Sequence, residues 1–598
     1  MKKILNKLIS ILLISAFLIF IGLGAFFISS ISNIQVNEFS KITSPKYSKI
    51  YDSNNRIIED FEKNDISYIK YEEIPYILVD ALISIEDKDF FRHNGINEKR
   101  IISSFISNIN PNNSTQGAST LTQQLVKNIL LTNEKTYKRK VQEAYLAIKL
   151  ENELSKEEIL EYYFNHIYFE QSVPGIQYAS RKFFNKDVRN ITLPEAALLV
   201  GLVKSPSYYY PLTNPERTDK RKNEVLKAML DNNKITNTQY DLALSFSCDD
   251  LLVKDSTNEE SYQFQAYLDV VYKEVKELTG LDVFNTPLKI ETYIDAYLQK
   301  LIDEIQEGNH VSISNNNQQI GGTVLDKDGH IIGVLGGRNY KGKKIFNHAY
   351  DLKTSPASTI KPIFSYALGV EHLHYSTLTT IEDKEYYYPG TNTLVHNADK
   401  SYLGKIPLID ALGYSRNTCA ISTLEKVIQK IGLNKAEEYL KDINMMDQGP
   451  FTYAYGIGGM KYGVSPIQVS GAYNMLLNDG KFNYPTTIKR ITSLEDNNII
   501  YEHKLESKQM ISEESADIIT NTLERIVDNN YLGMNIAKPI GITIAGKTGT
   551  NGYSKQLINK YNLPSNADKD IWFSGYSPSY TISLWKMPPP RKWPRPNG

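Results

Sequence analysis

Two sets of residues in this chain have the types and spacing that chemistry needs. The first opens with Glu86-Asp87-Lys88-Asp89-Phe90-Phe91-Arg92-His93-Asn94-Gly95, where two acids close an apolar run and lead into a histidine. A carboxylate so placed can move a proton. Adjacent carboxylates on a helix point apart, so at most one of Glu86 and Asp87 need react. Taken alone, the block reads as a polar helix end with a structural histidine. The next block, Gly117-Ala118-Ser119-Thr120-Leu121-Thr122-Gln123-Gln124-Leu125-Val126-Lys127, puts Thr120, Gln124 and Lys127 on one helical face, although Ser119 or Thr120 could simply cap that helix. Arg139-Lys140-x-x-Glu143 and the run from Lys156 to Asn165 follow, each by itself a solvated charged face.

The second set is an ordered triple: Ser358-x-x-Lys361, Ser415-x-Asn417, then Lys547-Thr548-Gly549-Thr550. Each member is weak alone. Ser-x-x-Lys recurs at Ser67–Lys70 and Ser583–Lys586, and Ser-x-Asn at Ser53–Asn55. The order discriminates. Ser358 and Lys361 stand three apart at the start of a predicted helix and share a face, which suits a nucleophile beside its base. Lys-Thr-Gly follows the strand-like run Ile542–Ala545, and its glycine would let a substrate backbone lie close.

The elements that must position these residues are legible as periodicities. Ile77, Leu78, Ala81, Leu82 and Ile85 recur at spacings of three and four and predict one buried helix face ending at Glu86. Further helices are predicted over 119–131, 138–152, 155–165, 193–203 and 215–230, so residues 71–231 read as a mainly α-helical domain. Residues 32–70 read as a strand-bearing linker. Residues 232–309 read as a linker region carrying a helix over 263–278, a strand over 288–293 and a helix over 295–307. Gly322–Leu325 and Ile331–Leu335 flank Asp326-Lys327-Asp328-Gly329, a hairpin signal. Helices near 358–370 and 418–432 then make 310–585 an α/β domain. Residues 586–598, with Pro588-Pro589-Pro590, cannot be helix or central strand and read as a disordered or aberrant tail.

At the other end, Lys2, Lys3 and Lys7 precede an uncharged apolar run from Leu8 to Ile31. At about 1.5 Å per residue that run spans a hydrocarbon core of roughly 30 Å. The lysines keep residues 1–7 cytoplasmic, so the expectation is a single-pass anchor over 8–31 with the remainder outside the cell membrane. A cleaved signal peptide would have a shorter apolar region and a small-residue cleavage site.

The chain has 598 residues, 41% hydrophobic, with a formal net charge of -1. Several domains are expected and no nucleic-acid footprint. The two cysteines, Cys248 and Cys419, lie far apart, which argues against a disulfide and against a Cys/His metal site.

In order and spacing, the first set resembles the family 51 peptidoglycan glycosyltransferases from about Ile74 to Arg221. The matching runs include Pro174-Gly175-Ile176-Gln177-Tyr178-Ala179 and Glu195-Ala196-Ala197-Leu198-Leu199. Phe164 stands where the family has Leu, Phe183 where it has Tyr, and Asn185 where it has Gly. The resemblance implies a lysozyme-like helical fold and glycosyl transfer from a lipid pyrophosphate, with inversion, that polymerises lipid II into a growing glycan chain. Glu86 matches the base. Lys127, Arg139 and Lys140 are implied to receive the leaving pyrophosphate, with Thr120 and Gln124 as hydrogen-bonding partners. Glu143 matches a second carboxylate that holds a divalent cation, Mg or Mn, or orients the phosphates. No organic cofactor is implied.

The second set resembles the penicillin-binding transpeptidase domain, of the superfamily of serine acyltransferases shared with β-lactamases. Gly336-Gly337-Arg338-Asn339-Tyr340, Gly463-Val464-Ser465-Pro466 and Trp572-Phe573-x-Gly575-Tyr576 agree with the class A type over about 310–585. Ala357 replaces a common glycine. By this resemblance Ser358 attacks the D-Ala-D-Ala amide of a stem peptide, Lys361 is its base and Ser415 relays the proton. Asn417 holds the acyl chain, Lys547 and Thr548 bind the terminal carboxylate, and the N–H groups of Ser358 and Thr550 form the oxyanion hole. β-Lactams would acylate Ser358. The fold is expected to lack a strand and helix after Ile582–Trp585, leaving an open edge and an apolar face. Two rivals follow: a glycosyltransferase with a damaged second domain, and a membrane-anchored β-lactam sensor.

Overall fold

The computed structural model describes residues 47–61, 68–101, 119–131, 136–167, 175–253, 263–284, 286–310, 318–537, 541–565 and 567–587, with residues 22, 24–31, 103 and 169. The anchor expected over 8–31 lies mostly outside them. Residues 24–31 are helical, and no described helix is long and apolar enough to cross a membrane. Residues 588–598 lie outside them as well, whereas Lys586 and Met587, expected in the tail, end a strand over Tyr580–Met587. The chain forms two compact units, one built mainly from Asp60–Glu260, the other from Lys49–Glu59, Ser261–Val283 and Leu288 onward.

The first unit is helical: α1 (Tyr76–Glu86), α2 (Leu121–Leu130), α3 (Tyr137–Glu153), α4 (Lys156–His166), α5 (Ile176–Phe184), α6 (Leu193–Val203) and α7 (Pro215–Asp231). Helix α6 is apolar almost all round and buried from Pro194 to Leu202, so it must be central. Helices α1 and α7 pack on it, while α2 packs against α3 and α4. Capping boxes at Thr120, Ser155 and Thr192 start α2, α4 and α6 where the sequence places them. Asn185 closes α5 at φ +51°, the left-handed position a family glycine would take. Gly95 cannot be replaced cheaply. It sits at φ +86°, and a Cβ there would meet the Ala147 backbone of α3 at 2.6 Å.

Residues 232–253, expected as linker, belong to this unit. They continue as α8 (Asn237–Leu244) against α7, and they bury Ala243 and Cys248 in the helical core. The polar composition hid these few apolar anchors.

The second unit holds two five-stranded sheets. One has the order β9 (Ile499–Glu502), β8 (Ile488–Ser493), β3 (Leu288–Thr292), β1 (Lys49–Tyr51), β2 (Ile57–Asp60). Part of the expected 32–70 linker is thus sheet. Ile50 pairs with Ile290, and Ile290 with Ile491, a fully buried stripe drawn from three distant segments. The other sheet is antiparallel: β10 (Ala545–Gly552), β11 (Asp568–Tyr576), β12 (Tyr580–Met587), β4 (Gln319–Asp326), β5 (Ile331–Leu335). Helices α9 (Gln265–Thr279) and α10 (Ala296–Glu307) pack on β5, α13 (Pro466–Leu477) on β12 and β4, and α14 (Glu513–Asp528) on β10.

The open edge expected at 582–585 is absent. Strand β12 pairs with β11 on one side and, from Tyr580↔Asp326 to Met587↔Gln319, with β4 on the other. Its partner lies some 260 residues earlier, which a reading of local pattern cannot see. Thr581, Ser583 and Trp585 are buried, and Tyr580 and Leu584 are exposed on the opposite face.

Candidate active sites

Glu86 is the last residue of α1 and its side chain is 17% exposed. Oε2 accepts from Gln124 Nε2 of α2 at 3.1 Å, and Gln124 Oε1 accepts from Tyr163 Oη of α4 at 2.9 Å. Burial holds the Tyr163 hydroxyl protonated far above its ordinary range, so it can only donate to Gln124. Oε1 meets Arg221 Nη2 of α7 at 3.3 Å. The adjacent acids have separated as helix geometry requires. Asp87 is fully buried and accepts from His93 Nε2 at 3.0 Å, Leu121 N–H at 3.0 Å and Arg100 at 3.3 Å. It ties the block to the first turn of α2, while Glu86 keeps access to solvent.

Glu143 is buried on α3 between Arg139 and Lys140, and Lys140 Nζ lies 2.6 Å from its Oε2 and 2.5 Å from Ser119 Oγ. Helix α2 therefore links two clusters. Ser119, just before it, meets Lys140, and Gln124 meets Glu86 about 8 Å further along its axis. Lys127 lies half-buried on the same helix.

Two expectations change. Thr120 is the fully buried N-cap of α2, donating to Gly95 O at 2.6 Å and accepting from Gln123 N–H, so its hydroxyl is spent inside the fold. The cation against Glu86 is Arg221, 6% exposed, which was not singled out from sequence. The signal was there: Thr218, Lys222, Val225 and Met229 form the buried stripe of α7, and Arg221 sits beside it in an otherwise charged helix.

In this structure the Glu143 carboxylate is ion-paired to Arg139 and Lys140, and among the described residues no three of His, Cys, Asp and Glu cluster as ligands. A Mg ion held there would draw its remaining oxygen ligands from water and the donor's phosphates.

In the second unit the predicted single helix over 358–370 is three pieces: a 3₁₀ turn over Ala357–Thr359, a π-helical turn over Pro362–Tyr366, and α11 (Ala367–Leu373). Pro362 lacks the N–H and crowds the preceding turn, which opens the ladder just after Lys361. Ala357 takes φ +50°, the strained position that explains the glycine usual there. It is braced. Ser355 Oγ donates to Gly458 O at 2.5 Å and accepts from Ala357 N–H at 3.2 Å, and Trp572 Nε1 of β11 donates to Ser355 O at 3.0 Å. Asp570 of β11 in turn accepts from Thr354 Oγ1 and from Trp585 Nε1 of β12, both at 2.9 Å. The serine turn is thus held by the last two strands, next to the expected truncation.

Ser358 is accessible, whereas Lys361 is fully buried. Lys361 Nζ lies 2.6 Å from Ser415 O, 3.1 Å from Ser415 Oγ and 2.6 Å from Asn417 Oδ1. Asn417 opens α12 (Asn417–Ile431), and its Nδ2 donates to His396 O at 2.7 Å. Both ends of that amide are engaged within the protein, so Asn417 orients Lys361 before any acyl chain arrives. Burial, then the neighbouring Lys547 charge, push Lys361 well below the ordinary lysine range.

Strand β10 is the sheet's edge and packs on the 357–359 turn. A Cβ at Gly549 would come within 3.0 Å of Pro356 O, so the glycine permits that approach. Lys547 is fully buried and pushed down to about 7 by desolvation. Thr548 and Thr550 alternate with it on the strand, half-buried and exposed.

Comparison with known proteins finds a family match over the residue range that holds each motif set. The transglycosylase family model matches residues 54–230, and the penicillin binding protein transpeptidase domain matches residues 306–584. Penicillin-binding protein 1A/1B of Bacillus subtilis (strain 168) is 35% identical over 97% of this chain and 63% of its own length. Penicillin-binding protein 1A of Streptococcus oralis is 34% identical over 97% of this chain and 92% of its own. Penicillin-binding protein 1A of Streptococcus pneumoniae is 34% identical over 95% and 80%. The chain belongs to the class A penicillin-binding proteins and carries both enzymatic domains of that family, a transglycosylase and a transpeptidase.

Proposed function

We propose that this chain polymerises lipid II into glycan strands and cross-links their stem peptides, and that its apolar run over 8–31 anchors both activities at the outer face of a bacterial cell membrane. The observation that carries the first half is the Glu86 carboxylate, open to solvent and held by Gln124 and Arg221. A sugar hydroxyl is a poor nucleophile. Glu86 takes its proton as the oxygen attacks C1, and the C1–O bond to the diphosphate breaks on the opposite face, inverting an α-linked donor to a β-linked product. Arg139, Lys140 and Lys127 receive the charge that develops on the leaving diphosphate, with Glu143 setting the first two in place.

In the second unit Ser358 Oγ attacks the D-Ala carbonyl or the β-lactam ring. Its proton passes to Lys361 and, through Ser415, to the departing nitrogen as the C–N bond breaks. Ser358 and Thr550 N–H groups face the oxyanion, and Lys547 with Thr548 holds the carboxylate. An acceptor amine then takes the acyl group and restores Ser358. Fluorescent penicillin and labelled lipid II supplied separately to the detergent-solubilised protein test both halves. Polymer and a covalent label are expected. A label without polymer would leave only the sensor, and polymer without a label only the monofunctional enzyme.

The two buried lysines fix a pH dependence. Lys361 acts as base only when neutral, so acylation falls as pH drops through its depressed pKa. Lys547 attracts a carboxylate only when protonated, so in the free enzyme acylation falls again as pH rises past about 7. The second-order rate of penicillin acylation is therefore expected to be bell-shaped, and Lys547→Gln is expected to remove the basic limb. A basic limb that survives that change would contradict the assignment.

A further inference from the structure

A buried polar network stands behind the Ser415–Asn417 turn. Strands β6 (Thr380–Asp383) and β7 (Gly404–Pro407) form a hairpin, and the chain between them passes through His396, Asn397 and Asp399. Asp383 is fully buried and accepts from Arg416 Nε at 2.8 Å, Asn397 Nδ2 at 2.9 Å, Leu403 N–H at 2.9 Å and the Thr418 hydroxyl. Arg416, its side chain 5% exposed, spreads its fork to Asp399 at 2.8 Å and to the Ser401 carbonyl. Asn397 Oδ1 accepts the Asn417 backbone N–H at 2.8 Å, and the His396 carbonyl accepts the Asn417 amide.

The turn needs this support. Ser415 sits at φ +58°, a conformation a serine keeps only where its surroundings impose it. A buried ion pair is a poor way to gain stability, because desolvation offsets the attraction and apolar packing serves the fold as well. What such a fork does supply is direction. With Asn417 gripped from behind at its N–H and Nδ2, its Oδ1 can point only at Lys361, and the Ser415 carbonyl follows.

We propose that Asp383, Asn397 and Arg416 are a positioning set for acylation: they clamp the Ser415–Asn417 turn so that its oxygens fix the Lys361 amine relative to Ser358. The proposal rests on the transpeptidase reading above. It also makes a charge prediction. Lys361 is faced by Lys547 from β10 and by Cys419 and Arg416 from the start of α12, and Asp383 of β6 and Asp399 offset the Arg416 charge. Arg416 disfavours the protonated form of Lys361, and Asp383 tempers that effect.

The test measures acylation rate constants with fluorescent penicillin across pH, on the full chain in detergent. Lipid II polymerisation and the thermal unfolding midpoint report folding. Arg416→Lys keeps the charge but loses the fork, so acylation is expected to fall by about 10²-fold with the acid limb unmoved. Arg416→Gln removes the charge, so the limb is expected at higher pH. Asp383→Asn leaves Arg416 less compensated, so the limb is expected at lower pH. A network that only stabilises would lower the fraction labelled and leave the rate constant and both limbs at their wild-type values, which would overturn the proposal. So would limbs that move together in Arg416→Gln and Asp383→Asn. Ser358→Ala separates the two layers. A label retained there sinks the transpeptidase reading itself. A label lost there, with Asp383→Asn and Arg416→Lys behaving as wild type, sinks only the positioning set.

Discussion

Glu86→Gln is expected to cut glycan polymerisation by about 10²–10⁴-fold, the usual worth of a positioned general base. The substitution is nearly isosteric and its consequences are local. The buried Arg221 loses the Glu86 charge but keeps its ion pair with Glu224 at 2.9 Å, so it is not left unpaired. The remaining carbonyl oxygen still accepts one of the two bonds that Gln124 and Arg221 now donate, at 3.1 and 3.3 Å. Asp87, the buried acid that ties the block to α2, is untouched. Penicillin labelling by the other unit should be unchanged, which makes one protein sample its own folding control. Initial rates of polymer formation from labelled lipid II, read on a gel, check this. Wild-type rates would remove Glu86 from the base role.

Lys361→Met is expected to be as severe on the other side, with penicillin acylation slowed by about 10²–10⁴-fold while polymerisation continues. Lys361 is sealed from solvent, and methionine matches its volume without a charge. The change strands the Ser415 carbonyl and Asn417 Oδ1 oxygens that now accept from Lys361 Nζ at 2.6 Å, at a cost of about 1–3 kcal/mol each, lowering the unfolding temperature without abolishing the fold. The rate constant for acylation, taken from the time course, separates this from a loss of folded protein. A rate constant equal to wild type would show that Ser358 is activated by some other group.

These two residues were legible because each sits in a local pattern: Glu86 ends a 3–4 periodic apolar helix, and Lys361 stands three residues after Ser358 on the same turn. The same logic located α2, α3, α4, α6, α7 and the β4–β5 hairpin to within a few residues. It does not reveal remote partners. The 32–70 stretch reads as strand-bearing, but nothing local shows that Lys49–Tyr51 pairs with Leu288–Thr292. The strand Tyr580–Met587 reads as an unpaired edge until it meets Gln319–Asp326. The site has the same division. Arg139, Lys140 and Glu143 fall together as their spacing implies, since one helix carries them. Arg221 reaches Glu86 from more than a hundred residues away, and its place beside the buried stripe of α7 hints at burial but not at this partner. Substrate roles for Thr120 and Asn417 come from the family resemblance alone. The structure shows their hydrogen bonds already committed, Thr120 to Gly95 and Gln123, Asn417 to Lys361 and His396. Motif spacing reports which residues share a turn, whereas satisfaction of their donors and acceptors is settled only by the rest of the fold.

The most direct test of the whole account is the product made from lipid II by the intact protein, digested with a muramidase and resolved into muropeptides, with and without penicillin. The account predicts β-linked glycan in both samples and peptide-cross-linked dimers only in the sample without the drug. Dimers that persist with penicillin bound, or a product free of dimers when none is present, would contradict the claim that this one chain both spins the glycan and ties it together.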